Sequence, residues 1–250
     1  MSEYFERLFS LRGRVAIVNS AASELGTAVV RGLAQSGAIV YGTDSPVLKA
    51  TSAVTEKSWA EERLSESLKF QVLGERLYHK YGRFNLLINI EEISTPSKSS
   101  TSIDSTMAGV STFRQKLEMQ LAGISQSSRI AADYIKRSGG GSIVNIISIK
   151  NSIGTPDESS YVATKNGLLM MTKALAIELI KDNIRVNNLV IGYANDTTRL
   201  AKLEQPKPRA GDRFFQDLIA TAVYFASENS NSITGQDLFL VKERALTQSV

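Results

Sequence analysis

Tyr161 and Lys165 stand four residues apart, which on a helix places them on one face, a turn from each other. An ammonium beside a phenol favours the phenolate and brings the Tyr pKa down towards working pH. A phenol tuned in this way can pass a proton to or from a carbonyl or hydroxyl oxygen. Ser148 precedes Tyr161 by thirteen residues, and its hydroxyl can hold the same oxygen. Taken singly, a Tyr/Lys pair is a common surface motif and a Ser is a common turn residue. The three in this order, at the end of an apolar run and the start of a helical one, make a candidate site for alcohol or carbonyl chemistry.

The surrounding pattern shows what would position them. Val15 to Val18 is a short run rich in β-branched residues and reads as a buried strand. Asn19 to Glu24 reads as a turn. Thr27 to Ser36 carries Val29, Val30, Leu33 and Ala34 at helical spacing, and Gly37 stops that helix. Ala38 to Gly42 reads as a second strand. The alternation continues with helices over 61–82, 113–137, 161–181 and 214–227, and strands over 86–89, 142–147, 185–190 and 238–241. Strands alternating with helices predict an α/β protein, one doubly wound domain over 1–250 with a central parallel sheet flanked by helices on both faces. Two stretches break the alternation. Ser94 to Ser105 is nearly all small and polar and reads as an exposed loop. Residues 192–213 hold Pro206, Pro208 and five basic residues after a strand end. Two readings of that segment stand: a lid over an anionic substrate, where ligands bind in open α/β sheets, or a solvated loop.

With Ser148, Tyr161 and Lys165 at their spacing, the chain resembles the short-chain dehydrogenase/reductase family, classical type. The resemblance covers residues 10–242. It extends through SIVNIIS (142–148), SSYVATKNGLLMMTKALAIEL (159–179), IRVNNLVIGY (184–193) and FASENSNSITGQDLFLV (225–241). It implies a Rossmann-type fold, a nicotinamide cofactor and hydride transfer at an alcohol or carbonyl carbon. By the same resemblance Tyr161 is the general acid/base, Lys165 lowers its pKa and bonds the nicotinamide ribose, and Ser148 orients the substrate oxygen. Gln120 stands where the family has an Asn on a central helix, one methylene longer, which would displace the relay water held there. The family is commonly dimeric or tetrameric. Helices 113–137 and 161–181 would form that interface, and Leu168, Leu169, Met170 and Met171 make the second of them apolar nearly all round.

The cofactor-binding stretch departs from the family pattern. The loop after the first strand has one family glycine, Gly26, which permits close helix–strand packing. Ser20 and Glu24 replace the other two, within a stretch in which Asn19, Ser20, Glu24, Leu25 and Gly26 are the expected cofactor contacts. Glu24 has two readings: repulsion of a pyrophosphate at a helix start, or stabilisation of that helix end by an acid. The family's Asn-Asn-Ala-Gly appears as Asn89-Ile90-Glu91-Glu92, with only Asn89 kept and two acids that look hostile to a cofactor. Ala53 stands at the best candidate position for an acidic adenine contact. Ile191 replaces a Pro, and Gly192 remains as a cofactor-side residue. Asp44, at the end of the second strand, can bond ribose hydroxyls and repel a 2′-phosphate. NAD is therefore expected over NADP, and its binding is expected to be weak. The leading expectation is an NAD(H)-dependent oxidoreductase of alcohols or carbonyls. The alternative is a non-catalytic relative of that fold, an oligomeric partner or ligand sensor that has lost normal dinucleotide binding.

Composition narrows the rest. The 250 residues include no Cys and one His, His79, which excludes disulfides and thiolate metal sites and makes a His-based triad improbable. The formal charge of +4 is mild, so nucleic-acid binding is not expected. No apolar run approaches membrane-spanning length. A cytoplasmic protein acting on a small molecule is the expectation.

Overall fold

The structure is a computed structural model, and it describes residues 9–43, 66–91, 121–149, 159–192 and 213–241. Its elements in chain order are β1 (Val15–Asn19), α1 (Glu24–Gln35), β2 (Ile39–Thr43), α2 (Glu66–Tyr81), β3 (Leu86–Ile90), α3 (Gly123–Arg137), β4 (Gly141–Ile149), α4 (Ser159–Leu179), β5 (Ile184–Gly192), α5 (Arg213–Ala226) and β6 (Asp237–Val241). The strands pair in the order β2-β1-β3-β4-β5-β6, every pair parallel. Each run read from the sequence as a strand or helix is present among the described residues, and the first parts of the helices expected over 61–82 and 113–137 lie outside them. α1 begins at Glu24, before its apolar periodicity does, because the Ser23 hydroxyl caps it by accepting the Gly26 N–H at 2.9 Å.

The layers follow from alternation along the strands. Ala16 and Val18 of β1 pack with Leu25, Val29 and Leu33 of α1, and with Leu218 and Phe225 of α5. Val15 and Ile17 belong to the opposite core with Leu73 and Leu77 of α2, Ile135 of α3 and Leu175 of α4. Both faces of the sheet are thus covered, and a strand with helices on both sides has to be apolar throughout. A smaller apolar group near the carboxyl ends joins Ile147 and Ile149 of β4, Val190 of β5 and Leu168 of α4. α4 buries only one stripe within this chain: Met170 is 61% exposed and Ile177 is 77% exposed. None of the described helices is long and apolar enough to cross a membrane.

A row of polar side chains crosses this sheet. Thr43, Asn19, Asn89, Asn145, Asn188 and Asp237 are register partners from β2 to β6. The Thr43 hydroxyl donates to Asn19 (2.5 Å), Asn19 to Asn89 (2.7 Å) and Asn89 to Asn145 (2.9 Å). Between β4 and β5 the row is bridged by Thr172 of α4, which accepts from Asn145 (2.8 Å) and donates to Asn188 (2.6 Å). Asn188 then donates to Asp237 (2.7 Å). Buried amides need partners, and a one-residue slip in any strand would take an amide off this row. The row therefore favours a single register.

Candidate functional site

The polar row sets the position of the site. Thr172 anchors α4 to β4 and β5, and Lys165 lies seven residues, two turns, before it. Residues at that spacing share a face, so Lys165 is turned towards the sheet and is buried. Glu91 follows β3 directly. Its N–H donates to the Ile146 carbonyl at 2.9 Å and prolongs the β3–β4 pairing by one residue. Along an extended strand Glu91 faces the same side as Asn89.

These two placements bring the Lys165 ammonium onto the Glu91 carboxylate as an ion pair, with both side chains 3% exposed. Beyond that pair, neither Glu91 oxygen accepts a hydrogen bond among the described residues. Burial raises the Glu91 carboxyl above its ordinary range, and the nearby ammonium offsets only part of this. Burial likewise lowers the Lys165 ammonium, and the carboxylate again offsets only part of it. Desolvation outweighs mutual attraction on both sides, as is common for an ion pair held away from water.

The loop between β1 and α1 keeps a tight turn without its glycines. Ser20 adopts the left-handed conformation at φ 61, a region that glycine enters freely and L-residues enter at a cost. The Ser23 hydroxyl donates to the Ser20 carbonyl at 2.8 Å, and Ala21 N–H donates to the Thr43 carbonyl at 3.0 Å. A Cβ at Gly26 would run into that same Ser20 carbonyl, so the surviving glycine is the one the packing requires. Leu25 is buried. Glu24 is exposed in the first turn of α1, where solvent screens its charge and the helix dipole favours it. Asn19 and Asn89 are joined by their amides.

Ser148 is buried near the end of β4, opposite Ile191 of β5. Gly192 ends β5 opposite Ile149. Tyr161 lies in the first turn of α4, and its side chain is outside the described residues. Gln120, Asp44, Ala53, Glu92, the stretch Ser94 to Ser105 and residues 193–212 also lie outside them. Sequence reasoning treated Glu91 as an obstacle to a cofactor and missed it as the partner of Lys165. A buried lysine requires a counter-charge, and the strand position two beyond Asn89 was the available signal. Thr172, which seats α4, was missed altogether.

The strand order reverses direction at β1 and β3, and ligands of open α/β sheets bind outside the carboxyl ends at such a switch point. Asn19, the Ser20 turn, Gly26, Ser148 and Lys165 gather at those ends, and they fit a dinucleotide lying across them. One feature competes with it: Lys165 is already held by Glu91.

A family model described as enoyl-(acyl carrier protein) reductase matches residues 20–240. Cis-4-hydroxycyclohexanecarboxylate dehydrogenase of Sinomonas cyclohexanicum is 30% identical over 196 residues, covering 76% of each chain. The 3-oxoacyl-(acyl-carrier-protein) reductase FabG of Thermotoga maritima is 27% identical over 243 residues, covering 90% of this chain and 95% of its own. Among solved structures, a short-chain type dehydrogenase/reductase from Mycobacterium marinum superposes with a TM-score of 0.72 at 23% identity. That match covers 96% of this chain and 98% of the other. The named relatives are oxidoreductases, and the family uses a nicotinamide dinucleotide. With the doubly wound parallel sheet and a matching model over nearly its whole length, the chain belongs to the short-chain dehydrogenase/reductase family.

Proposed function

We propose that this chain is an oxidoreductase that acts on a small alcohol or carbonyl compound through Ser148, Tyr161 and Lys165. The observation that carries this reading is Lys165 itself: a lysine buried at the carboxyl ends of a parallel sheet, on a helix seated there by Thr172. Ser148 holds the substrate oxygen, and Tyr161 moves a proton to or from it. Lys165 favours the Tyr161 phenolate and binds the nicotinamide ribose. The dinucleotide, when bound, supplies or accepts the hydride. Gln120 is a fourth polar residue of the site. NAD is the proposed form, on the strength of Asp44 and of a loop from Asn19 to Gly26 without Arg or Lys. The exposed Met170 and Ile177 on α4 support a homodimer or homotetramer that covers that helix.

A second reading has its own observation. The Glu91–Lys165 pair favours a non-catalytic member of the family, in which the buried lysine serves the fold alone. Turnover separates the two. Purified protein is assayed with NAD(H) and NADP(H) against a panel of secondary alcohols and ketones. NAD-linked turnover that Tyr161→Phe abolishes, with cofactor binding retained, supports the oxidoreductase. No turnover together with no binding of either dinucleotide at millimolar concentration supports the scaffold.

A further inference from the structure

Glu91 is a buried acid immediately beyond β3, at the strand-order switch point, with its carboxylate on the one buried lysine among the described residues. Its side chain reaches from the end of β3 to Lys165 on α4, at the sheet end where a ligand of such a fold lies. Among the described residues it has no second polar partner to hold it there. A carboxylate in that position does to Lys165 what a ribose diol would do: it supplies oxygen acceptors to the ammonium.

We propose that Glu91 is an internal competitor for the cofactor, a specificity-determining residue whose carboxylate occupies Lys165 in place of the nicotinamide ribose. This rests on the reading of Lys165 as the ribose-binding residue. A dinucleotide then binds only by parting the pair, and the affinity of the chain is set by Glu91 more than by the missing glycines of the Asn19–Gly26 loop. That loop already holds its turn through Ser20 and its cap through Ser23, whereas the Glu91 carboxylate stands directly on Lys165.

The test compares wild type, Glu91→Gln, Glu91→Ala and Glu178→Gln. The last removes an exposed acid that pairs with Arg129 on the outer surface and controls for general loss of negative charge. Binding of NAD and NADH is read by titration calorimetry and by thermal shift, without any substrate. Glu91→Gln keeps the side-chain volume and an acceptor for the ammonium, so it folds where Glu91→Ala fails to. The expected result is dinucleotide binding about tenfold or more tighter in Glu91→Gln than in wild type, a larger cofactor-induced thermal shift, and no change in Glu178→Gln. If wild type binds and Glu91→Gln binds no tighter, the competitor role is overturned and the oxidoreductase reading stands. If neither wild type nor any Glu91 variant binds at millimolar dinucleotide, the cofactor reading of Lys165 falls, and the competitor role falls with it.

Discussion

Glu91 and Lys165 meet between the end of β3 and the second turn of α4, with both charges out of water. In bulk solvent the pair would contribute little. Here each group depends on the other, because each alone would be a buried charge.

The first prediction follows from that dependence. Lys165→Met alone leaves a carboxylate buried without its counter-charge and is expected to cost about 3–5 kcal/mol. The double variant Glu91→Leu/Lys165→Met removes both charges and is expected to be neutral or stabilising by about 1–4 kcal/mol. Urea denaturation of the two variants and the wild type measures the difference. A double variant less stable than Lys165→Met alone would count against the pair.

The second concerns pH. Glu91 has a raised pKa in the folded chain, against an ordinary value of 4.5, so the folded state holds its proton more tightly than the unfolded state does. Its stabilising contribution is full below the unfolded value and is lost as pH rises through the folded one. Wild type should therefore gain stability relative to Glu91→Gln as pH falls from neutral towards 4.5. Melting temperatures of both proteins across that range decide it; a gap that narrows on acidification refutes it.

The third tests the seat of α4. Thr172→Val deletes an acceptor for Asn145 and a donor to Asn188, and leaves two buried amide groups short of a partner. The expected loss is about 1–3 kcal/mol, recovered by Thr172→Ser. Denaturation midpoints of the three proteins provide the check.

The fourth concerns the loop. Gly26→Ala drives a Cβ into the Ser20 carbonyl and is expected to destabilise by about 1–3 kcal/mol. Ser20→Gly relieves a left-handed L-residue and is expected to stabilise by up to about 1 kcal/mol. Thermal melts suffice, and equal melting temperatures would show that the loop carries no strain.

A fifth addresses assembly. Ile177 is 77% exposed on α4, and Ile177→Lys places a charge in the proposed interface. Light scattering should show a smaller species than wild type; an unchanged mass would move the interface elsewhere.

Much of the architecture was legible because it depends on local rules. β1 reads as buried since its residues are apolar and β-branched. α1 and α5 read as helices from spacing, and the alternation of types dictates a parallel sheet. Ser148 and Lys165 could be placed on their elements from the same pattern, and Gly26 from the need for a close helix–strand approach. Helix starts were less legible, because Ser23 begins α1 through a hydroxyl bond that apolar periodicity does not register.

What one dimension could not express was which polar groups meet. Asn19, Asn89, Asn145 and Asn188 are scattered along the chain, and they become one row only when parallel pairing sets them side by side. Glu91 and Lys165 are 74 residues apart, and no spacing rule links an acid after one strand to a lysine on a later helix. The local sequence determined the elements and the chemical types available at their ends. The tertiary structure alone decided that this carboxylate and this ammonium share one dry position, because burial and distance are properties of the packed sheet and not of the order of residues.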